Sequence, residues 1–305
     1  MILLRKMRRD LLRFKTQFFS IFLMSMLGIL VFVGLDAESA GADKIIRQYY
    51  SEYNLSDLWV MGNGFSDDEL KSVRQLKGVD AAEKRTVMTG KAKLPDDPYL
   101  ELIFLTSNDI SKMVVKKGEG YKEGDEGIWL AIRFAEAKGI SVGDSFSIDM
   151  DGMRIDGIVK GLVDSPEHVY YLSDTEIVYP NYSHYGFAFM GKNMFPLDDV
   201  TYNQILVDIS DDADEDEIKN SITDLLDRKD IVVSGRNDNL SYKTFADEIS
   251  QHAAMSIMFS AVFLLIALLG TVTTMTRVTA NQRTQIGTLK ALGFSKRTIT
   301  FHYVS

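Results

Sequence analysis

A run of 23 residues without a charged side chain, Ala253 to Met275, constrains this chain more than any other feature. At about 1.5 Å per residue, such a run makes a helix long enough to cross a hydrocarbon core of roughly 30 Å. It leads directly into Arg277 to Arg297, a basic segment punctuated by Gly287 and Gly293. A second apolar run, Phe18 to Leu35, has 18 residues whose polar content is Ser20, Ser25 and two glycines, and it predicts another spanning helix. Ala40-Gly41-Ala42 offers a signal-peptidase-like site. The apolar run is longer than a usual signal-peptide core and ends well before that site, so an uncleaved anchor is expected.

Charge then sets the topology. The net charge of −9 is segregated: residues 1–35 carry Arg5, Lys6, Arg8, Arg9, Arg13 and Lys15 against Asp10 alone. Residues 276–305 carry five basic side chains and no acid, so each end is +5 and the part between is −19. The positive-inside rule places such ends in the cytoplasm and the acidic middle outside. Nucleic-acid binding is the rival reading of the basic clusters. It is set aside because both clusters abut spans and the large domain is acidic, so no nucleic-acid partner is expected.

Between the spans the pattern is mixed. Glu38 to Tyr50 continues the first helix outward, with Ile45, Ile46, Tyr49 and Tyr50 at helical spacing, and Leu55 to Met61 predicts a strand. Ser66-Asp-Asp-Glu69 is a capping box opening a helix that ends near Leu76 before Gly78. Strands are predicted near Ala81 to Leu94 and Leu100 to Thr106, and a short helix over Ala131 to Lys138. Phe146, Ile148 and Met150 alternate up to Asp151-Gly152, and Met153, Ile155 and Val159 alternate away, which predicts a two-residue type I′ hairpin. Asn203 to Ile209 and Asp230 to Ser234 predict strands, and from Leu240 a helix runs unbroken into the second span. The fold class expected is a membrane protein in which two transmembrane α-helices flank an α+β extracytoplasmic domain with a β-rich inserted subdomain. The bounds are a cytoplasmic N-terminus at 1–17, spans at 18–35 and 253–275, the extracytoplasmic domain at 36–252 with its insertion at about 125–195, and a cytoplasmic segment at 276–305.

Chemistry-bearing motifs are sparse. The chain has no cysteine, which excludes disulfides and thiolate sites, and its four histidines, 168, 184, 252 and 302, show no metal-ligand spacing. Gly118-Glu-Gly120-Tyr-Lys-Glu-Gly124 lacks the spacing of a phosphate loop and is surrounded by acids. Asp211 to Glu217 lacks the glycine and terminal acid of a calcium loop and suits the start of a helix burying Ile218, Ile222, Leu225 and Leu226. No enzymatic activity, cofactor or metal is therefore expected. Tyr170, Tyr171, Tyr179, Tyr182, Tyr185, Phe187, Phe189 and Phe195 crowd one stretch. Most are expected to form the core of the β-rich part. Tyr182 and Tyr185, beside Pro180 and Gly186, are the exposed exceptions that could recognise an extracytoplasmic protein or peptide.

The segment after the second span remains. On a helical wheel Ile286, Leu289, Leu292 and Gly293 share one arc, with Arg283 and Lys290 on another. That pattern fits a helix docking in a partner's groove and equally a membrane-surface helix whose charges fix topology. The stretch Arg283-Thr-Gln-Ile286-Gly287-Thr-Leu289-Lys290-Ala-Leu292-Gly293-Phe294-Ser295 closely resembles the cytoplasmic segment after the second span of MacB/FtsX-like permeases of ABC transporters. The order of span, large domain, span and segment is also similar.

The resemblance implies that Arg283, Ile286, Gly287, Leu289, Lys290, Leu292, Gly293 and Phe294 belong to the element coupling the permease to a separate cytoplasmic ABC ATPase. It also implies a MacB-type α/β domain outside the plasma membrane and a second permease copy or half as partner, in contact with membrane lipid. Two departures stand out: Gln285 occupies the position of a common glutamate, and the chain stops at Ser305 before two further spans, so either it is a truncated product or fragment or its missing half lies elsewhere. The competing class is a two-span sensor with an extracytoplasmic ligand-binding domain. Such a protein should continue into a signalling coiled coil, and no sustained heptad follows residue 277.

Overall fold

The computed structural model describes Leu12 and residues 15–171, 181–197 and 199–304. Its helices are α1 (Lys15–Glu52), α2 (Asp67–Arg74), α3 (Ile132–Lys138), α4 (Glu215–Leu226), α5 (Leu240–Asn281), α6 (Arg283–Ala291) and α7 (Lys296–Val304). Its strands are β1 (Leu58–Met61), β2 (Val79–Ala92), β3 (Tyr99–Leu105), β4 (Val114–Gly118), β5 (Ile128–Ala131), β6 (Ser145–Met150), β7 (Met153–Asp164), β8 (Tyr185–Gly191), β9 (Gln204–Ile209) and β10 (Val232–Gly235). The chain divides into a large unit, Lys44–Glu248, and a small one made of Met1–Asp43 and Ile249–Ser305.

In the large unit the described strands form one mixed sheet ordered β10-β1-β9-β2-β3-β8-β5-β7-β4, with β6 pairing β2 and β7. The pairs β3–β8 and β5–β7 are parallel. Strand β2 is common to both halves of the sheet: Val79 to Arg85 pair with β9, Arg85 to Lys91 with β3, and Lys91 and Ala92 with β6. The β-rich half is therefore continuous with the rest. Its core of Trp129, Phe134, Phe187 and Phe189 also draws on Ala92 and on Leu100 to Leu105, ahead of the insertion expected at about 125–195.

Strand alternation distributes the other half over two cores. Leu58, Val60, Ile205 and Val207 face α2 and α4, meeting Leu70, Val73, Ile218 and Ile222. Trp59 and Leu206 point the other way, where they pack with Tyr50, Leu55 and Ile110 and with the half-buried Ile46, Tyr49, Val169 and Tyr242. The end of α1 and the start of α5 thus seat on the sheet face opposite α2 and α4.

Local chemistry accounts for the boundaries. Ser66 Oγ accepts from Glu69 N (3.2 Å) while Ser66 N donates to Glu69 Oε2 (2.8 Å), completing the capping box of α2. Asp151 and Gly152 have φ of 49° and 84°, the two positive values that a type I′ turn requires. Asp214 caps α4 by accepting from Glu217 N (3.0 Å). The first strand starts at Leu58, three residues later than expected, because Leu55 N bonds to Tyr50 O (2.9 Å) and Asp57 N to Val207 O (3.0 Å) in the connection from α1.

In the small unit, α1 and α5 supply two helices long and apolar enough to cross a membrane. They pack through small residues: Ser256 Oγ donates to Phe32 O (3.2 Å), and a Cβ on Gly28 would lie 3.0 Å from Phe263 Cβ. Ser256, Ser260 and Ala267 are buried, while Phe22, Leu30, Ile257, Leu264 and Leu268 are exposed. Such a small-residue seam with apolar outer faces is the packing expected of helices in lipid.

Candidate functional site

The segment after α5 is a helix, a turn and a second helix. Gln282 interrupts the backbone between α5 and α6, and Ile286 N reconnects to Gln282 O (2.9 Å). Helix α6 closes with Gly293 N donating to Lys290 O (3.0 Å) and Phe294 N to Leu289 O (3.2 Å), with Gly293 at φ +86°. That left-handed residue is a helix stop. Gly293 therefore lies past the end of α6 and off the arc expected to unite it with Ile286, Leu289 and Leu292. Its part is to turn the chain, so that Ser295 Oγ can accept from Thr298 N (3.2 Å) at the start of α7.

Along this segment Ile286 and Leu289 are half-buried, and Arg283, Gly287 and Lys290 are exposed. Leu292 and Phe294 are exposed at 70% and 37%, large apolar side chains flanked by Lys290, Lys296 and Arg297. An apolar pair within a basic rim is a surface suited to a groove with acidic edges.

Tyr182 and Tyr185 are half-buried rather than exposed. Arg133 Nη1 donates to Tyr182 Oη (2.6 Å), and Tyr185 Oη donates to Glu101 Oε2 (3.2 Å). Both rings pack against the large core, where Tyr171, Phe187 and Phe189 are fully buried. Tyr179 lies outside the described residues. Burial pushes Glu101 up, but the His168 ring, 3.2 Å away at Nε2, together with Arg85 and the Tyr185 hydroxyl, holds it below the ordinary carboxylate range. His168 in turn stacks on Phe187 with ring centroids 4.5 Å apart.

Sequence reasoning missed the polar hub beside these rings. Ser165 to His168 follow β7 as a single 3-10 turn, with Ser165 Oγ accepting from Glu167 N (3.2 Å). Glu167 Oε1 accepts from Trp59 Nε1 (2.7 Å) and its Oε2 from Arg85 Nη2 (2.7 Å), while Arg85 Nε donates to Gln204 Oε1 (2.6 Å). The two charged side chains are only 4% and 3% exposed. Onward from the hub, Asn239 Nδ2 donates to Glu167 O (3.4 Å), and Asn239 Oδ1 caps α5 by accepting from Tyr242 N (2.9 Å). Tyr170 N donates to Ser241 Oγ (2.9 Å) and Tyr170 Oη to Glu248, with its ring 5.9 Å from that of Phe245. Burial and the Glu248 carboxylate push the Tyr170 phenol up to about 12, so it remains a donor at neutral pH. The sequence signal for this hub is slight: a carboxylate directly after Pro166, between Ser165 and His168. Among the described residues, no group of three or more His, Asp or Glu side chains is placed to hold a metal ion.

Residues 257–305 match the family model of the FtsX-like permease C-terminal region. The chain is thus a membrane protein whose two apolar helices flank an α+β domain. A search of curated proteins finds no match. Among solved structures, the periplasmic region of MacB from Actinobacillus actinomycetemcomitans is similar at 13% identity and a TM-score of 0.39, over 64% of this chain and 92% of that one. The extracellular domain of the noncanonic ABC-type transporter YknZ from Gram-positive bacteria is similar at 15% identity and a TM-score of 0.40, over 60% of this chain and 100% of that one.

Proposed function

We propose, on the match of residues 257–305 to the FtsX-like permease C-terminal model, that the chain is a permease subunit of an ABC-type transporter of the MacB/FtsX-like class. In this reading a separate cytoplasmic ATPase grips α6 and the turn after it. Helix α5 carries the displacement to the large unit, for export, extrusion or signalling. Both termini are cytoplasmic and the large unit is extracytoplasmic, as the charge of +5 at each end and −19 between them supports. Arg5 to Arg13, which supply most of the first cluster, lie outside the described residues. A second permease copy or half and membrane lipid cover the exposed apolar faces of α1 and α5. An extracytoplasmic protein or peptide is met by the surface around Tyr182 and Tyr185.

The observation that carries the reading is the exposure of Leu292 and Phe294 inside a basic rim within the matched segment. The first helix beyond α5 has nine residues and is closed by the Gly293 turn, which interrupts at that point the sustained heptads that a sensor's coiled coil requires. The test is co-purification of the full-length permease with its ATPase. Leu292→Asp with Phe294→Asp should lower recovery of the ATPase at least tenfold, while Leu225→Asp, at an exposed site on α4, should not. Undiminished recovery with the double variant would remove the coupling role.

A further inference from the structure

The two long helices are held unequally where they enter the large unit. At the end of α1 the loop between β3 and β4 returns as backbone: Ser111 N donates to Asn54 O (2.6 Å) and Lys112 N to Tyr53 O (2.8 Å). Asn54 Nδ2 adds a bond to Asp109 O (3.1 Å), and Ser56 N one to Ser111 Oγ (3.1 Å), both atoms of the latter pair being buried. At the start of α5, among the described residues, the bonds to the β7-derived segment all use a side chain: Tyr170 N to Ser241 Oγ, Tyr170 Oη to Glu248, and Asn239 Nδ2 to Glu167 O. Between the two helices themselves, the Tyr50 and Tyr242 rings meet at 5.3 Å, and the Tyr50 hydroxyl takes no hydrogen-bond partner among the described residues. Packing alone resists sliding at that contact.

We propose that Ser165 to Tyr171 is a releasable latch on α5, while the end of α1 is a fixed strut. The root of the latch is immobile because Glu167 is locked between Arg85 and Trp59 in the interior. Its tip, Tyr170, is half-buried, and its hydroxyl bond to the exposed Glu248 can exchange for water at small cost. Paired backbone groups can separate only if both find new partners. Ahead of α5 the Asn239 cap stays bonded to Glu167 O and Arg236 to Leu55 O and Ser56 O, so displacement of α5 beyond that cap is taken up at Tyr170, Ser241 and Glu248.

This inference rests on the reading that α5 carries the motion, but its test needs no ATPase. Hydrogen exchange is measured by mass spectrometry on the full chain in lipid nanodiscs, comparing wild type with Tyr170→Phe and with Ser241→Ala. Each variant removes one bond of the latch with little change of shape. Amides of residues 242–250 should exchange about tenfold faster in either variant, with residues 46–56 and strands β5 and β8 unchanged. Unchanged exchange at 242–250, or equal acceleration at 46–56, would overturn the latch. Loss of the coupling reading through Leu292 and Phe294 would leave this exchange result standing.

Discussion

Replacing Glu167 by glutamine isolates the charge at the centre of the large unit. The carboxylate is buried and accepts one bond from Trp59 and one from Arg85, both at 2.7 Å. Glutamine keeps the volume and an acceptor for the indole, but it leaves the Arg85 guanidinium, 4% exposed, with Gln204 as its remaining close acceptor. Removing one partner of a buried pair costs about 3–5 kcal/mol, and the retained indole bond places this variant near about 3 kcal/mol. In guanidinium chloride, a dependence of about 5 kcal/mol per molar, scaled up for a unit of this size, converts the loss to a midpoint shift of roughly 0.6 M. The assay follows tryptophan fluorescence of the full chain in detergent, since Trp59 itself donates to Glu167. Adding Arg85→Met should recover part of the loss, because the uncompensated charge goes with it. A midpoint shift below about 0.2 M, or a double variant as unstable as the sum of the singles, would refute the assignment of Glu167 as the anchor of this segment.

Gly118 and Gly124 both have positive φ, 87° and 85°, but a Cβ at Gly118 would lie 2.2 Å from Lys160 O, while nothing lies within 4 Å at Gly124. Gly118→Ala should cost about 3 kcal/mol or more and Gly124→Ala about 1 kcal/mol, a difference of roughly 5 °C in thermal midpoint. Asp230 is held down at about 2 by hydrogen bonds from Arg228 and from Asn63 N. Its stabilisation is complete above its unfolded value near about 3.9 and is lost as pH falls through about 2. Unfolding midpoints of wild type and Asp230→Asn should therefore differ at pH 5 and converge towards pH 2; curves that stay parallel would contradict the assignment. Gly28→Leu should drive apart the seam that Phe263 fills. Because the chain has no native cysteine, this is checked by disulfide crosslinking of cysteines introduced into α1 and α5, whose yield should fall in the variant.

What the sequence disclosed was the local chemistry. Ser66 and Glu69 encode a capping box in four residues, Asp151-Gly152 encodes a hairpin in two, and the acids before Ile218 mark a helix start. Each depends on neighbours along the chain. The spans were legible for a similar reason, because length and absence of charge are properties of a single run. Features that depend on distant partners were not. The parallel pairing of Tyr99 to Leu105 with Tyr185 to Gly191 joins stretches more than eighty residues apart, and the division of β2 between β9 and β3 is set by those partners. Glu167 has little local signal of its role because its partners Trp59 and Arg85 lie on β1 and β2, far away in the chain. Tyr182 and Tyr185 were expected to be exposed on the strength of the adjacent proline and glycine. Arg133 on α3 and Glu101 on β3 engage their hydroxyls instead. On α6 the wheel assumed a helix continuing through Gly293, whereas its φ of +86° ends it there.

The central claim is that motion imposed on residues 283–294 reaches the large unit through α5. The most direct measurement is hydrogen exchange over residues 240–250 in the full permease bound to its ATPase, compared between nucleotide-free and ATP-trapped states. The account predicts a several-fold change there, spreading to residues 165–171, little change at 46–56, and no change in the Leu292→Asp, Phe294→Asp variant. An identical exchange pattern at 240–250 in the two nucleotide states, with the ATPase demonstrably bound, would contradict it.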